Sequence, residues 1–251
     1  MPVVLVHGVP ETAALWDPLR SHLKRDDVVA VQLPGFGTPV PKGFGATKEE
    51  YAGWLAGELE RISSDGPIDL VGHDWGGGFT VRVVSTRPEL VRSWVSDAAG
   101  IGDVEFEWHE FAKIWQTPGA GEEFFEQQLS APQEGRGAVF EGFGVPHEQA
   151  LKMGSWMDRT MADCILALYR SAVDVGKEWG PDFHDVPKPG AVIIPSDDPF
   201  LSADGARAGA TRSGARTIEL SGVGHWWMLQ DPERGAAVLE EFWASVGAAQ
   251  K

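Results

Sequence analysis

The feature that most constrains this chain is the stretch 69–78, where a short apolar run breaks into glycines around a single carboxylate. An apolar helical pattern resumes after the glycines. The spacing Gly72-x-Asp74-x-Gly76 predicts a sharp strand-to-helix turn, because glycines two places either side of Asp74 let strand and helix approach closely. Asp74 is therefore a candidate nucleophile, although a glycine-rich turn with a solvated aspartate has the same pattern.

Apolar runs typical of buried strands recur along the chain, and helical patterns separate them. The predicted strands are 3–6, 28–33, the run before Asp74, 93–97, 191–195 and 217–220. Thr47, with Glu50 three residues later, predicts the capped start of a long helix. Strands that alternate with helices predict an α/β fold, a mostly parallel sheet covered by helices on both faces.

The alternation stops between residues 104 and 185, where the pattern is helical throughout. This predicts three parts: 1–103, the first part of an α/β core; 104–185, an inserted helical cap; and 186–251, the second part of the core. Aromatic residues are frequent in the insertion, and most should be core. Some are expected to cover an apolar pocket, for which Phe111, Trp115 and Trp226 are candidate lining residues.

Two further chemical groups follow predicted strands. Asp198 comes directly after the fifth strand, and His225 lies in a glycine-rich loop after the sixth. Open α/β sheets place their sites at the carboxyl ends of the strands, so Asp74, Asp198 and His225 are expected to meet. Asp97 and Asp197 compete with Asp198 as the partner of the histidine, and we rank Asp198 first.

Composition excludes several classes of partner. The formal net charge is -16, and without clustered Lys and Arg neither nucleic acid nor an anionic membrane is an expected partner. No apolar run reaches the roughly 18 residues of a membrane span, and no leader pattern precedes the first strand. We therefore expect a cytoplasmic protein. The single cysteine, Cys164, allows no disulfide within the chain, and no metal or cofactor is expected.

The chain resembles the α/β-hydrolase superfamily, and within it the branch of epoxide hydrolases and haloalkane dehalogenases. The resemblance is carried by the motifs HGVP at 7–10, GHDWGG at 72–77 and GHWWMLQDP at 224–232. It implies that Asp74 is the nucleophile, His225 the general base and Asp198 its acid partner. The N–H groups of Val9 and Trp75 resemble the oxyanion hole.

The identity of the nucleophile restricts the reaction. A carboxylate that attacked an acyl group would form a high-energy anhydride, whereas attack on saturated carbon gives an ordinary ester. A serine-type esterase is disfavoured for this reason. Water must then cleave the ester, and a histidine with a pKa near about 6.5 can accept its proton. Each oxyanion-hole donor is worth about 3 kcal/mol in related chemistry. The expected partners are a small apolar organic substrate and water.

Epoxides and alkyl halides both fit this chemistry, and the resemblance favours the epoxide. Haloalkane dehalogenases commonly have Asn where this chain has Val9, and no arginine lies in 103–108 to hold a haloacid. Epoxide hydrolases usually place two tyrosines over the nucleophile, and Tyr169 resembles one of them. Phe111 occupies the other position, for which His109 is a candidate substitute. A dehalogenase and a non-catalytic small-molecule binder stay open as alternatives.

The amino end departs from the resemblance. Relatives normally have two further strands before the strand that leads into the HGVP loop. This sequence starts on that strand, so 28–33 should form an edge of the sheet. An uncovered edge invites pairing with a second chain. A homodimer and a shortened start are both compatible with this pattern.

Overall fold

A computed structural model describes residues 2–63 and 66–249 of the chain. Its sheet has six strands, all parallel, in the order β2-β1-β3-β4-β5-β6. The strands are β1 (Val3–Val6), β2 (Val28–Val31), β3 (Ile68–Gly72), β4 (Val91–Ser96), β5 (Gly190–Pro195) and β6 (Arg216–Leu220). The predicted α/β fold with a parallel sheet is thereby confirmed.

Twelve α-helices are present in the described part of the chain. They are α1 (Asp17–Arg20), α2 (Lys48–Ile62), α3 (Trp75–Thr86), α4 (Glu110–Gln116), α5 (Ala120–Ser130), α6 (Gln133–Gly142), α7 (His147–Trp156), α8 (Arg159–Ser171), α9 (Val175–Trp179), α10 (Ala203–Ser213), α11 (Trp227–Gln230) and α12 (Pro232–Ala249). The predicted Thr47 cap precedes α2, where Thr47 and Glu50 form a reciprocal capping box.

Alternation along the buried strands builds one core on each face of the sheet. In β1, Val4 and Val6 face a core shared with α2, α3 and α8. Val3 and Leu5 face the opposite core, which includes apolar residues of α1, α11 and α12. Burial on both faces explains why the inner strands are continuous apolar runs.

The strand register brings the carboxyl ends of the strands to one edge of the sheet. Gly72, the last residue of β3, pairs with Val6 on one side and with Ser96 on the other. Pro195 pairs in the same way with Leu220. The loops after β1, β3, β4, β5 and β6 therefore emerge side by side.

The second strand is an edge strand, and it is shorter than predicted. It ends at Val31, because the N–H of Leu33 donates to Nε2 of His7 (3.1 Å) and not to a neighbouring strand. Val29 is 39% exposed on this edge. Pairing of the edge with a second copy stays a prediction.

Helices α4 to α9 lie between β4 and β5 and fall within the predicted insertion. Their buried side chains join the core on both sides: Trp115, Phe125 and Tyr169 pack with residues of α2 and α3, and Phe140 and Met153 pack near α11. The division into core and cap remains a prediction. Across residues 2–63 and 66–249, no helix combines the length and apolar character needed to traverse a bilayer.

Candidate active site

Asp74 occupies the predicted turn between β3 and α3 in a strained backbone conformation. Its φ of 50° and ψ of -121° lie in a region that non-glycine residues rarely adopt. The flanking glycines allow the turn to close. A Cβ on Gly72 would lie 2.1 Å from the carbonyl oxygen of Gly76, and a Cβ on Gly76 would lie 2.3 Å from that of Val6. The turn thus presents the carboxylate at the carboxyl edge of the sheet.

A backbone N–H group holds one oxygen of the Asp74 carboxylate. The N–H of Val9, in the loop after β1, donates to Oδ1 at 2.9 Å. Trp75 is the first residue of α3, where N–H groups have no partner within the helix. Oδ1 therefore lies at a site suited to negative charge, and Oδ2 faces His225.

His225 and Asp198 lie beside this carboxylate. His225 Nδ1 is 2.8 Å from Asp198 Oδ2, and His225 Nε2 is 3.8 Å from Asp74 Oδ2. Asp198 Oδ1 accepts from the N–H groups of Phe200 (2.8 Å) and Leu201 (3.2 Å). The bond to Asp198 places a proton on Nδ1 of a neutral ring and leaves Nε2 as the acceptor. The 3.8 Å gap is too long for a direct hydrogen bond.

The ionisation of Asp74 and His225 favours activity on the alkaline side of pH 6. Burial raises the pKa of Asp74 to about 6, against the opposing charge of His225. Burial also opposes protonation of His225, but the charges of Asp198 and Asp74 outweigh it and raise the pKa of the imidazole. A nucleophile must be ionised and a base must be neutral. Both requirements fail as the pH falls.

A second, fully buried charge network lies behind the turn, and the sequence reasoning missed it. His73 Nδ1 lies 2.5 Å from Asp97 Oδ2, and His73 Nε2 lies 3.1 Å from Glu11 Oε1. Asp97 Oδ1 also accepts the N–H of Asp74 at 2.9 Å. Burial opposes a charge on His73, but Asp97 and Glu11 raise its pKa well above the ordinary value. An imidazolium between two carboxylates therefore fixes the backbone of the turn.

This network also shows what Asp97 does. Its Oδ2 accepts from Trp227 Nε1 (2.8 Å) as well as from His73, and its Oδ1 is bonded to Asp74. Both oxygens are therefore engaged away from His225. Asp197, the third candidate, is exposed and contacts Ser196. The sequence did hold a signal for this network: Glu11 directly follows the HGVP motif, and His73 directly precedes Asp74.

Glu11, His73 and His225 bring potential metal-ligand atoms within 4.8 Å of one another. Two of the three side chains already have protein partners: His73 bonds Glu11 and Asp97 through its two ring nitrogens, and Glu11 Oε1 also accepts from Trp226 Nε1 at 2.6 Å. His225 bonds Asp198 through Nδ1, which leaves only its Nε2. The carboxylate of Glu11 is thus matched to the His73 imidazolium and not to a metal ion.

A largely apolar pocket opens above the turn and is bounded by the inserted helices. Asp74, Val9, His225 and Tyr169 line it, together with the predicted lining residues Phe111, Trp115 and Trp226. Tyr169 is buried, and burial together with the Asp74 charge raises the pKa of its hydroxyl well above the usual value. The hydroxyl therefore keeps its proton at neutral pH.

The His109 ring has two roles in this arrangement. Its Nδ1 caps α4 by accepting from the N–H of Ala112 at 3.2 Å, and the ring lines the pocket. Burial lowers its pKa to about 4, so the ring is neutral. Because Nδ1 accepts a hydrogen bond, the proton of the neutral ring resides on Nε2. His109 is therefore a hydrogen-bond donor to the pocket and not an acid.

The geometry gives a sharp test of the acid partner of His225. Asp198→Asn should lower kcat by about 10³- to 10⁴-fold, because the imidazole loses its tautomer and orientation. The loss should fall on the cleavage of a covalent ester, which then accumulates in rapid-quench experiments. Asp97→Asn should instead lower the melting temperature, and Asp197→Asn, a matched exposed control, should change neither. Ester accumulation with Asp97→Asn and a larger loss of kcat would reverse the ranking.

Comparison with known proteins gives a family match over most of the chain. The sequence profile of the family described as "Alpha/beta hydrolase family" matches residues 3–238. An (E)-2-((N-methylformamido)methylene)succinate hydrolase of Acinetobacter baylyi is 24% identical over 211 residues, which are 81% of this chain and 74% of the relative. A haloalkane dehalogenase of Mycobacterium tuberculosis is 31% identical over only 96 residues, 38% of this chain and 33% of that protein.

A solved structure gives the same assignment of the fold. An epoxide hydrolase from Vigna radiata superimposes with a TM-score of 0.76 at 19% identity, covering 97% of this chain and 91% of that chain. At this level of identity the likeness bears on the fold and not on the substrate.

Proposed function

The chain belongs to the alpha/beta hydrolase family, and from this premise we propose that it opens an epoxide to a diol through a covalent ester on Asp74. The observation that carries the proposal is the placement of two protonated groups, Tyr169 and the Nε2 of His109, around the same pocket as Asp74. An epoxide that opens leaves an alkoxide, and these groups supply the donors that it requires.

In the first step, Asp74 Oδ2 attacks one carbon of the epoxide and the bond from that carbon to the ring oxygen breaks. The new alkoxide receives the proton of the Tyr169 hydroxyl while His109 donates a hydrogen bond. The resulting phenolate regains its proton from water. Oδ1 keeps its bond to the Val9 N–H throughout, which leaves Oδ2 free to react.

In the second step, His225 Nε2 takes a proton from water, and the hydroxide attacks the carboxyl carbon of Asp74. Negative charge develops on Oδ1, where the N–H groups of Val9 and Trp75 stabilise it. The tetrahedral intermediate collapses, the alkyl oxygen leaves with the proton from His225, and the diol is released. Asp74 then gives the proton of its new carboxyl group to the hydroxide that the reprotonation of Tyr169 left, which restores the ionised nucleophile. Asp198 holds the charged imidazolium in place.

A dehalogenase is the second candidate, and one observation favours it. The indole Nε1 atom of Trp115 is buried and has no acceptor within the described residues. Trp115 lines the pocket. An indole N–H of this kind can hold a departing halide, although Val9 supplies no side-chain donor beside it. A non-catalytic binder of the same fold would have no use for an ionised Asp74 beside His225.

Incubation of the purified protein with a panel of terminal and aryl epoxides and of chloro- and bromoalkanes separates these functions. Diol formation, followed by gas chromatography, is the expected result. Halide release without diol would support the dehalogenase. Binding of both classes without any product would support the binder.

The Tyr169→Phe variant tests the ring-opening step itself. The rate of ester formation should fall about 10²-fold, because the alkoxide loses its acid, whereas hydrolysis of the ester should change by less than about 3-fold. Rapid-quench mass spectrometry measures the two rates separately. Tyr51→Phe is a matched control, since Tyr51 donates to Pro34 in the core and does not line the pocket. Equal slowing of both steps would exclude Tyr169 as the acid.

A further inference from the structure

One arginine is set apart from all others in the described chain. Arg136, on α6, lines the pocket, and its Nε is buried without an acceptor. Neither a hydrogen bond nor an ion pair joins its guanidinium to any residue in 2–63 or 66–249. Every other arginine there has at least one such partner, as Arg159 has with Glu126 and Arg170 with Glu122.

An arginine without a partner is unexpected on a protein this acidic. Acidic residues outnumber basic ones by 37 to 21, so partners for an arginine are abundant on this protein. Arg136 is nevertheless the one Lys or Arg that lines the pocket among the described residues, and most of its neighbours there are apolar. The residue as a whole is half-buried, but its Nε is shut off from water, and a buried N–H without an acceptor costs free energy. Among apolar neighbours an ion pair is also stronger than in open solvent. The position is therefore suited to an anion brought by the ligand.

Gln128, on α5, is the other polar side chain on the pocket wall apart from the indoles and the proposed catalytic groups. A single guanidinium forms two parallel hydrogen bonds with a carboxylate, which needs only one positive charge. A phosphate carries more charge and would need further cations that the wall lacks. The pocket is lined by Asp74 and His225 as well as by Arg136. One ligand that fills it would therefore contact the reacting groups and the arginine.

We infer that the substrate carries a carboxylate, separated from its reactive carbon by an apolar spacer, and that Arg136 binds this carboxylate. The inference rests on the proposed function for the reacting end of the substrate. Its anionic end is argued independently, from Arg136 and the lining of the pocket. The expected "apolar" substrate is thus apolar only in its middle.

The experiment compares ω-epoxyalkanoates of four to ten carbons with the corresponding primary amides. At the best chain length, kcat/KM for the acid should exceed that for the amide by about 10- to 100-fold. Arg136→Gln should abolish this preference through KM, with the amide changed by less than about 2-fold, and Arg136→Lys should restore part of it. Arg159→Gln, which removes an exposed arginine of the same helical region, should behave as wild type.

A binding measurement separates failure of this inference from failure of the proposed function. Saturated alkanoates such as octanoate should quench the pocket indoles and bind at least about 10-fold more weakly to Arg136→Gln, whether or not epoxides are turned over. If epoxides are hydrolysed with no preference for acids, and octanoate binds both forms equally, the role of Arg136 is wrong and the epoxide hydrolase stands. If octanoate binding depends on Arg136 but no epoxide reacts, the proposed reaction is wrong and the carboxylate site stands.

Discussion

Replacement of Asp74 by alanine is expected to lower turnover by on the order of 10⁴-fold or more, because no other group at the site can form the covalent ester. The side chain lies at the strained turn, with Oδ1 held by Val9 and Oδ2 facing His225. Steady-state kinetics on the best epoxide measure the loss. Retention of more than about 1% of the activity would exclude Asp74 as the nucleophile.

The control for this variant is its stability. The positive φ of Asp74 disfavours alanine as well as aspartate, so Asp74→Gly is the matched second variant, which removes the carboxylate and relaxes the backbone. The pKa of Asp74 is about 6 in the folded chain and about 3.8 otherwise. A raised pKa stabilises the fold at pH below 3.8, and that contribution is lost as the pH rises through 6. Asp74→Gly should therefore gain a few °C in melting temperature at pH 8 and less at pH 5.

The second large effect is expected for His225→Gln, in which the first step proceeds and the second stalls. Without a base, hydrolysis of the ester should slow by about 10³-fold or more, and the ester on Asp74 should accumulate. Intact-mass spectrometry of the protein after incubation with substrate detects it. The double variant Asp74→Ala, His225→Gln should carry no added mass.

The mass itself identifies the reaction. Ring opening loses no atoms, so an epoxide adds its full mass, whereas a haloalkane adds only its alkyl group and releases halide. We expect the epoxide adduct. An adduct with haloalkanes alone would reverse the assignment in favour of a dehalogenase, and the absence of adducts from both classes would favour a binder.

The parts of this protein that sequence predicts well are those governed by local rules. A parallel sheet brings the carboxyl ends of its strands together, so residues that directly follow strands, such as Asp74, Asp198 and His225, could be placed in one site from their position alone. The same rule does not decide whether Asp198 or Asp97 is the acid partner of His225. That order depends on which side chains reach each carboxylate, and Asp97 meets His73 and Trp227.

The helical insertion was less predictable for a physical reason. The direction of each helix face depends on how six helices pack on one another, which the aromatic content of the sequence does not encode. The sequence offers His109 only as a candidate substitute for a second tyrosine, whereas in the structure its ring both caps α4 and lines the pocket. Nothing in the sequence distinguishes Arg136, because an arginine on an amphipathic helix is ordinarily solvated. Its lack of a partner becomes visible only in three dimensions.

The engagement of Asp97 also bears on how such a protein can diverge. Asp97 follows the fourth strand closely, so it is the carboxylate that would have to serve His225 if Asp198 were lost. In this protein Asp97 cannot take that role, because it already bonds His73, Trp227 and the N–H of Asp74. The acid could move to Asp97 only if several buried residues changed together. The position of the acid is therefore expected to change rarely among proteins that share the buried network around His73.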